Sequence, residues 1–265
     1  MTGSWKMSGN LGTDYEQLMV PAMFGPWATV LAEFVEVGPG DRVLDVACGT
    51  GVVARELIGC VGTKGTVVGC DSNATMLATA REVAPEIDWR EGNALDLPFE
   101  TDCFDLVTCQ QGYQFFPDRV QAAREAYRVL TDGGRLAVAV WCSLSENPGH
   151  AAVVSAVQEF VGTPEAEIVG SSFALGDKSI LERELAEAGF EVLQSITKTH
   201  PSRFPSSDAL TLGLVRGGAL ARAGVELGEE TITQILERVK TSLATYQGLK
   251  ELTCPMSANM ILAKK

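Results

Sequence analysis

Histidine is nearly missing from this chain: 2 of 265 residues, His150 and His200. Proton transfer through an imidazole is therefore confined to two places, and a histidine-built metal centre is not expected. Basic residues are also short, with 21 Lys and Arg against 34 Asp and Glu and a net charge of -13. Such a surface repels phosphate backbones and anionic lipid heads, so nucleic acid is not an expected partner. The cysteines (Cys48, Cys60, Cys70, Cys103, Cys109, Cys142 and Cys254) form no C-x-x-C pair and sit mostly in apolar, strand-like runs. That pattern favours buried reduced thiols over disulfides or zinc, so no metal is expected. No apolar run approaches the ~20 residues of a membrane span. The opening "MTGSWKMSGN" has no basic stretch followed by an apolar one, so a signal peptide is not expected either. These absences point to a cytoplasmic protein with a small-molecule partner. A homodimer is left open.

What the chain does have is alternation. With 46% hydrophobic residues, a full core can form in one large α/β domain. "DRVLDVA" reads as a buried strand held between "GPG" and "CGTG". "GVVARELIGCV" has helical apolar spacing, "GTVVGCD" is a second strand, and "NATMLATAREVA" is a helix with Asn73 as N-cap. "EIDWREGNA", "FDLVTCQQ" and "GGRLAVAVW" are the third to fifth strands, with a helix capped by Asp118 before the fifth. Strands alternating with helices predict a doubly wound, mostly parallel sheet with helices on both faces. Ahead of it, "TDYEQLMVPAMFGPWATVLAEFVEV" reads as two helices broken at Pro21 and at Gly25-Pro26. One domain over 1–265 is expected. In it, 1–40 forms N-terminal helices over a cofactor and 41–142 the binding core. Segments 143–176 and 205–250 form a helical cover for a substrate, and 178–200 and 257–265 complete the sheet.

The loop after the first strand carries the strongest signal. Gly49-Thr50-Gly51-Val52-Val53-Ala54 satisfies G-x-G-x-x-G/A, and the second strand ends at Asp71, 20 residues past Gly51. Glycines let a ligand approach the backbone, and an acid at that distance meets ribose hydroxyls. The ligand is read as a nucleoside compound. Asp45 then separates two candidates. A dinucleotide would bring a pyrophosphate to the helix N-terminus, beside this carboxylate. S-adenosylmethionine brings an ammonium and a sulfonium, which a carboxylate favours.

Five stretches in order, "VLDVACGTG", "GCDSNATMLATAR", "GNALDLPF", "FDLVTCQQGYQFFPD" and "RVLTDGGRLAVAVW", resemble the class I S-adenosylmethionine-dependent methyltransferases. The branch they look most like makes quinones and methylates small molecules. The resemblance covers about residues 12–142. It implies a Rossmann-like seven-stranded sheet whose last strand is antiparallel, with helical cap insertions. It implies that Gly49 and Gly51 run beside the methionine moiety, with Asp45 supporting its ammonium. Asp71 would take the ribose hydroxyls, and Asn93 and Ala94 would meet the adenine edge. Asn93 stands where the family commonly has Asp, and Ser72 where it has an apolar residue, with Met76 as compensation. Gln110 would turn its carbonyl to the ammonium, and Tyr15 would close over the methionine end.

The implied reaction is an in-line methyl transfer to a small, largely apolar or aromatic metabolite, mainly by positioning, leaving S-adenosylhomocysteine. His150 and Tyr15 are the candidates for handling a proton. Gln111, Trp141, Phe24 and Trp27 are the candidates for touching the acceptor. Phe115, Phe116, Phe160 and Phe173 are further aromatics that could line its site. Two other readings stay open: a protein that binds this cofactor without methyl transfer, and an NAD-dependent dehydrogenase.

Overall fold

In the computed structural model, residues 11–216 and 218–265 are described. The stretch in which a signal peptide was sought lies outside them. The strands are β1 (Arg42–Val46), β2 (Thr66–Asp71), β3 (Asp88–Glu91), β4 (Phe104–Gln110), β5 (Leu130–Trp141), β6 (Glu191–Phe204) and β7 (Leu252–Lys264). They form one sheet in the order β3-β2-β1-β4-β5-β7-β6. The first five run parallel to one another, and β7 is antiparallel to β5. β1 and β4 are buried along almost their whole length because both their faces are covered, as parallel strands require, and the polar Asp45, Thr108 and Gln110 stand out in them. Leu44, Val107, Val138, Val140 and Ile261 are fully buried in the resulting core. Each such side chain contributes roughly 1.5–3 kcal/mol.

The N-terminal segment departs from expectation. Its helix does not break at Pro21 or at Gly25-Pro26. α1 (Leu11–Asp14) runs into a wider π-helical stretch, Tyr15–Phe24, and then into α2 (Gly25–Val35). A proline breaks an α-helix because it removes one i→i−4 bond. Pro21 lies where the ladder has already shifted to i→i+5 spacing, so the missing donor is absorbed locally. Pro26 is the second residue of α2, a position suited to its fixed φ. The joined helix Gly12–Val35 is 24 residues long and, by length and composition alone, apolar enough to cross a membrane. No single run of the sequence reveals that. More than half of its most apolar window is buried within the protein, as a core helix would be.

α3 (Val52–Val61) follows β1, α4 (Ala74–Val83) follows β2, and α5 (Arg119–Val129) precedes β5. The expected caps are present. The Asn73 side chain accepts from the N–H groups of Thr75 and Met76, and Asp118 accepts from that of Gln121. Such a cap contributes about 1 kcal/mol. The remaining helices are α6 (Pro148–Phe160), α7 (Thr163–Gly170), α8 (Lys178–Glu187), α9 (Ser207–Val215), α10 (Ala219–Arg222) and α11 (Glu229–Ser242).

The chain divides into two compact units. The sheet unit holds Gly25–Cys142, Leu175–Lys198 and Ala258–Lys265. Within it Asn259 ties several segments together: Oδ1 accepts from the Thr197 hydroxyl at 2.7 Å, and Nδ2 donates to the Gly176 carbonyl at 2.7 Å. The helical unit holds the described chain up to Phe24, Ser143–Ala174 and Thr199–Ser257. There α11 packs on α6, joined by Arg238 and Glu159 at 2.9 Å. Asn147 bonds both backbone groups of Ser257. All seven cysteines are free thiols; five are buried, Cys103 is half-buried and Cys60 is exposed.

Candidate functional site

Strand order reverses between β1 and β4, and a crevice beyond the carboxyl ends of such strands is where α/β sheets bind ligands. The turn leaving β1 is left-handed at Ala47 (φ 56°), Gly49 (φ 58°) and Gly51 (φ 84°). The two glycines differ. A Cβ on Gly49 would meet nothing within 4 Å, so that side of the loop is open. A Cβ on Gly51 would lie 2.1 Å from the Trp89 ring, and one on Gly69 2.3 Å from it. Trp89 is buried in β3 and donates from its indole nitrogen to the Ala84 carbonyl at 2.8 Å. It therefore backs the loop, and Gly51 is set as much by this ring as by any ligand.

Two carboxyl groups flank the turn. Asp71, at the end of β2, receives the Gly49 N–H on Oδ2 and the Asn73 N–H on Oδ1, each at 2.8 Å. Each oxygen keeps a further lone pair, and the group is held in one orientation. Asp45, in β1, is 1% exposed. Its Oδ1 accepts from the Thr108 hydroxyl at 2.9 Å, across a register that pairs these residues on β1 and β4. Its Oδ2 is buried with no hydrogen-bond partner. Burial pushes its pKa up to about 7. The Thr108 bond and the Ala54 backbone N–H oppose that rise, and the charge of Asp71 adds to it. The thiols nearby are also held protonated. Burial, then the two acids, raises Cys48, and burial, then Asp71, carries Cys70 up to about 12. None is a ready nucleophile.

The other residues named from sequence fall as follows. Gln110 ends β4, buried, in register with Ala139. Gln111 follows it with φ 58° and is 7% exposed. Met76 is buried in α4, whereas Ser72 is exposed. Asn93 is exposed and its Oδ1 already accepts from the Leu95 N–H at 3.0 Å; Ala94 beside it is half-buried. Trp27 and Trp141 are buried edge to face, ring centres 5.5 Å apart. All of these belong to the sheet unit, as do Phe115, which is exposed, and Phe116, which packs on Tyr113.

Tyr15, Phe24, His150, Phe160, Phe173 and His200 belong to the helical unit. Tyr15 stacks on Phe24 at 4.9 Å, and Phe160 is half-buried. His150, the third residue of α6, is 4% exposed and lies 4.9 Å from the Phe173 ring. Burial alone lowers its pKa to about 4, and Nε2 has no partner. The sheet segment expected over 178–200 does not stop at His200: β6 runs on to Phe204, and the His200 ring meets the Pro201 carbonyl at 3.1 Å.

Four residues at this end of the sheet escaped the sequence reading: Thr108, Trp89, Ala47 and Gln114. The last donates from Nε2 to Gln111 Oε1 at 3.4 Å. Only Thr108 had a usable signal, as a hydroxyl within an otherwise buried apolar strand.

A seven-stranded sheet with β7 reversed, a glycine turn at the reversal of strand order and an anchored acid ending β2 define the methyltransferase class of Rossmann-like folds. More narrowly, the chain belongs to the ubiE/COQ5 methyltransferase family, whose model matches residues 14–156. It is 40% identical over 118 residues to a 2-phytyl-1,4-naphtoquinone methyltransferase of Synechococcus elongatus, covering 42% of this chain and 51% of that protein. It is 39% identical over 127 residues to the ubiquinone/menaquinone biosynthesis C-methyltransferase UbiE of Xylella fastidiosa, covering 46% and 50%. The chain thus spans about half the length of the curated relatives it matches. In fold it is similar to phosphoethanolamine N-methyltransferase 2 of Haemonchus contortus, solved with S-adenosylhomocysteine. The TM-score is 0.59 at 17% identity, over 96% of this chain and 56% of that one.

Proposed function

We propose that the protein transfers a methyl group from S-adenosylmethionine to a small oxygenated aromatic ring of the quinol type. One observation carries the cofactor choice: the buried carboxyl of Asp45, with Oδ2 unpartnered, on the strand that leads into the open Gly49 turn. A buried acceptor without a partner costs about 1–3 kcal/mol, which an arriving ammonium would offset. A pyrophosphate there would meet two acids. The residues present fit the cofactor. Asp71 would receive the ribose hydroxyls, Gly49 would let the methionine portion lie against the backbone, and Asp45 would face its cationic end. Bound there, the sulfonium supplies an already activated methyl group.

The chain's own task is then alignment and exclusion of water, worth up to about 7–11 kcal/mol. His150 is neutral at physiological pH and, with its pKa near 4, a weak base. The acceptor's own acidity therefore supplies the anionic oxygen that activates its ring. The quinone class comes from what the relatives' names say they act on. A cytoplasmic location belongs to the same reading.

The test is calorimetry with S-adenosylhomocysteine and NADH, followed by transfer of labelled methyl to a prenylated 1,4-naphthoquinol. Micromolar binding of the first ligand and label in the ring support the proposal. Preferential binding of NADH would end it.

A further inference from the structure

The residue just beyond β4 combines two features that rarely coincide by accident. Gln111 is a non-glycine residue in the left-handed region, at φ 58°. Such a conformation costs on the order of 1–3 kcal/mol and persists only where its surroundings enforce it. Here they do. The Gln111 N–H continues the ladder to the Ala139 carbonyl at 2.8 Å. The next residue is pressed against the turn leaving β1, since a Cβ on Gly112 would sit 2.5 Å from the Ala47 methyl. Ala47 is itself left-handed. The strained turns at the ends of β1 and β4 thus brace each other.

The second feature is polar. The Gln111 side chain is more than nine-tenths buried. Its Oε1 is occupied by the Gln114 amide, while its Nε2 is buried with no partner. An unpaired buried donor is among the costlier defects a fold can carry. A strained backbone holding an unpaired N–H group, at the strand ends where the sheet binds ligands, is the arrangement of a recognition element.

We propose that Gln111 is the acceptor-orienting residue, its carboxamide N–H donating to an oxygen on the ring that receives the methyl group. This rests on the methyltransferase reading above. It adds a requirement that the cofactor site does not impose: the acceptor must present a hydrogen-bond-accepting oxygen. A bare hydrocarbon ring leaves the donor unpaired, and an ammonium acceptor meets a donor facing it. A site built to bond one polar group discriminates strongly against ligands that lack it.

The test uses the full chain saturated with S-adenosylhomocysteine and two probes, 1,4-naphthoquinone, which only accepts hydrogen bonds, and naphthalene. Binding is followed by ligand-observed NMR, so no turnover is needed. The wild type should prefer the quinone by tenfold or more. Gln111→Leu should erase most of that preference, with S-adenosylhomocysteine affinity within twofold; its melting temperature checks folding only, since the variant removes both the unpaired donor and the acceptor of the Gln114 amide. Gln111→Glu, which keeps the shape but presents an acceptor, should weaken quinone binding further than the leucine variant does. With a naphthoquinol substrate, the loss should fall on KM more than on kcat. An unchanged quinone preference in Gln111→Leu overturns the assignment while leaving the methyltransferase reading standing. A wild type that binds neither S-adenosylhomocysteine nor the quinone overturns both.

Discussion

If Asp45 faces the cationic end of the cofactor, as proposed, cofactor affinity should depend on pH. In the ligand-free protein burial holds its pKa near 7. A cationic ligand beside Oδ2 favours the ionised form, so binding should drive the proton off. About a tenth of the molecules are ionised one pH unit below the pKa and about nine tenths one unit above. Affinity for S-adenosylhomocysteine should therefore rise about tenfold from pH 6 to pH 8, equivalent to about 1.4 kcal/mol. Calorimetry at pH 7 in buffers of different ionisation enthalpy should report release of roughly half a proton. The ligand's own amine also titrates, and Asp45→Asn isolates the protein's share, because asparagine keeps an oxygen for Thr108. The variant should lose the Asp45 part of the slope and bind at least about tenfold more weakly at pH 8.

Stability runs the opposite way. A folded-state pKa above the unfolded value of about 3.9 means that the protonated form favours the fold. That contribution is complete below pH 4 and is lost as pH rises through 7, with an upper limit of roughly 4 kcal/mol. The ligand-free wild type should therefore lose melting temperature between pH 5 and pH 8 more steeply than Asp45→Asn. Equal pH slopes in the two proteins, in both binding and melting, would refute the role given to this carboxyl.

Other substitutions read different parts of the site. Asp71→Ala removes the anchored acid and should weaken S-adenosylhomocysteine by about 1.5–3 kcal/mol, the range for bonds to a charged group; an unchanged dissociation constant would place the ribose elsewhere. Gly51→Ala forces a methyl group into the Trp89 ring at a left-handed position, and a loss of about 1–3 kcal/mol in chemical denaturation is expected. Combining it with Trp89→Leu should recover part of what Gly51→Ala costs, and strict additivity would show that the ring is not the obstacle. His150→Ala should keep activity within about tenfold, about 1.4 kcal/mol on the barrier. Its pH–rate profile should keep any limb near 4, where burial places the His150 pKa, and a thousandfold fall with intact cofactor affinity would make His150 the base.

The alternation of strands and helices was legible because each element announces itself locally. Asn73 and Asp118 cap where their side-chain chemistry says they should. The placing of Asp45, Gly49 and Asp71 around one turn was legible because a short turn after a parallel strand fixes which residues stand at its ends. Pro21 misled, since the rule about proline assumes α-helical spacing and the chain here winds wider. Trp89 was invisible as a partner of Gly51 because it lies 38 positions further on, beyond a whole strand–helix unit. The Gln111–Gln114 amide pair could not be read either: three residues apart suggests a helix face, and its meaning comes from one donor left without a partner.

Trp89 ties together positions that look independent along the chain. Its ring occupies the volume in which side chains at 51 and 69 would have to stand. A lineage that kept this indole would be obliged to keep both glycines, whatever its cofactor demanded. One that shrank the ring would free position 69 to vary, while 51 would still answer to its left-handed backbone. The three sites should then drift as a linked set, with position 89 changing first, and a glycine at 69 becomes a record of what stands at 89.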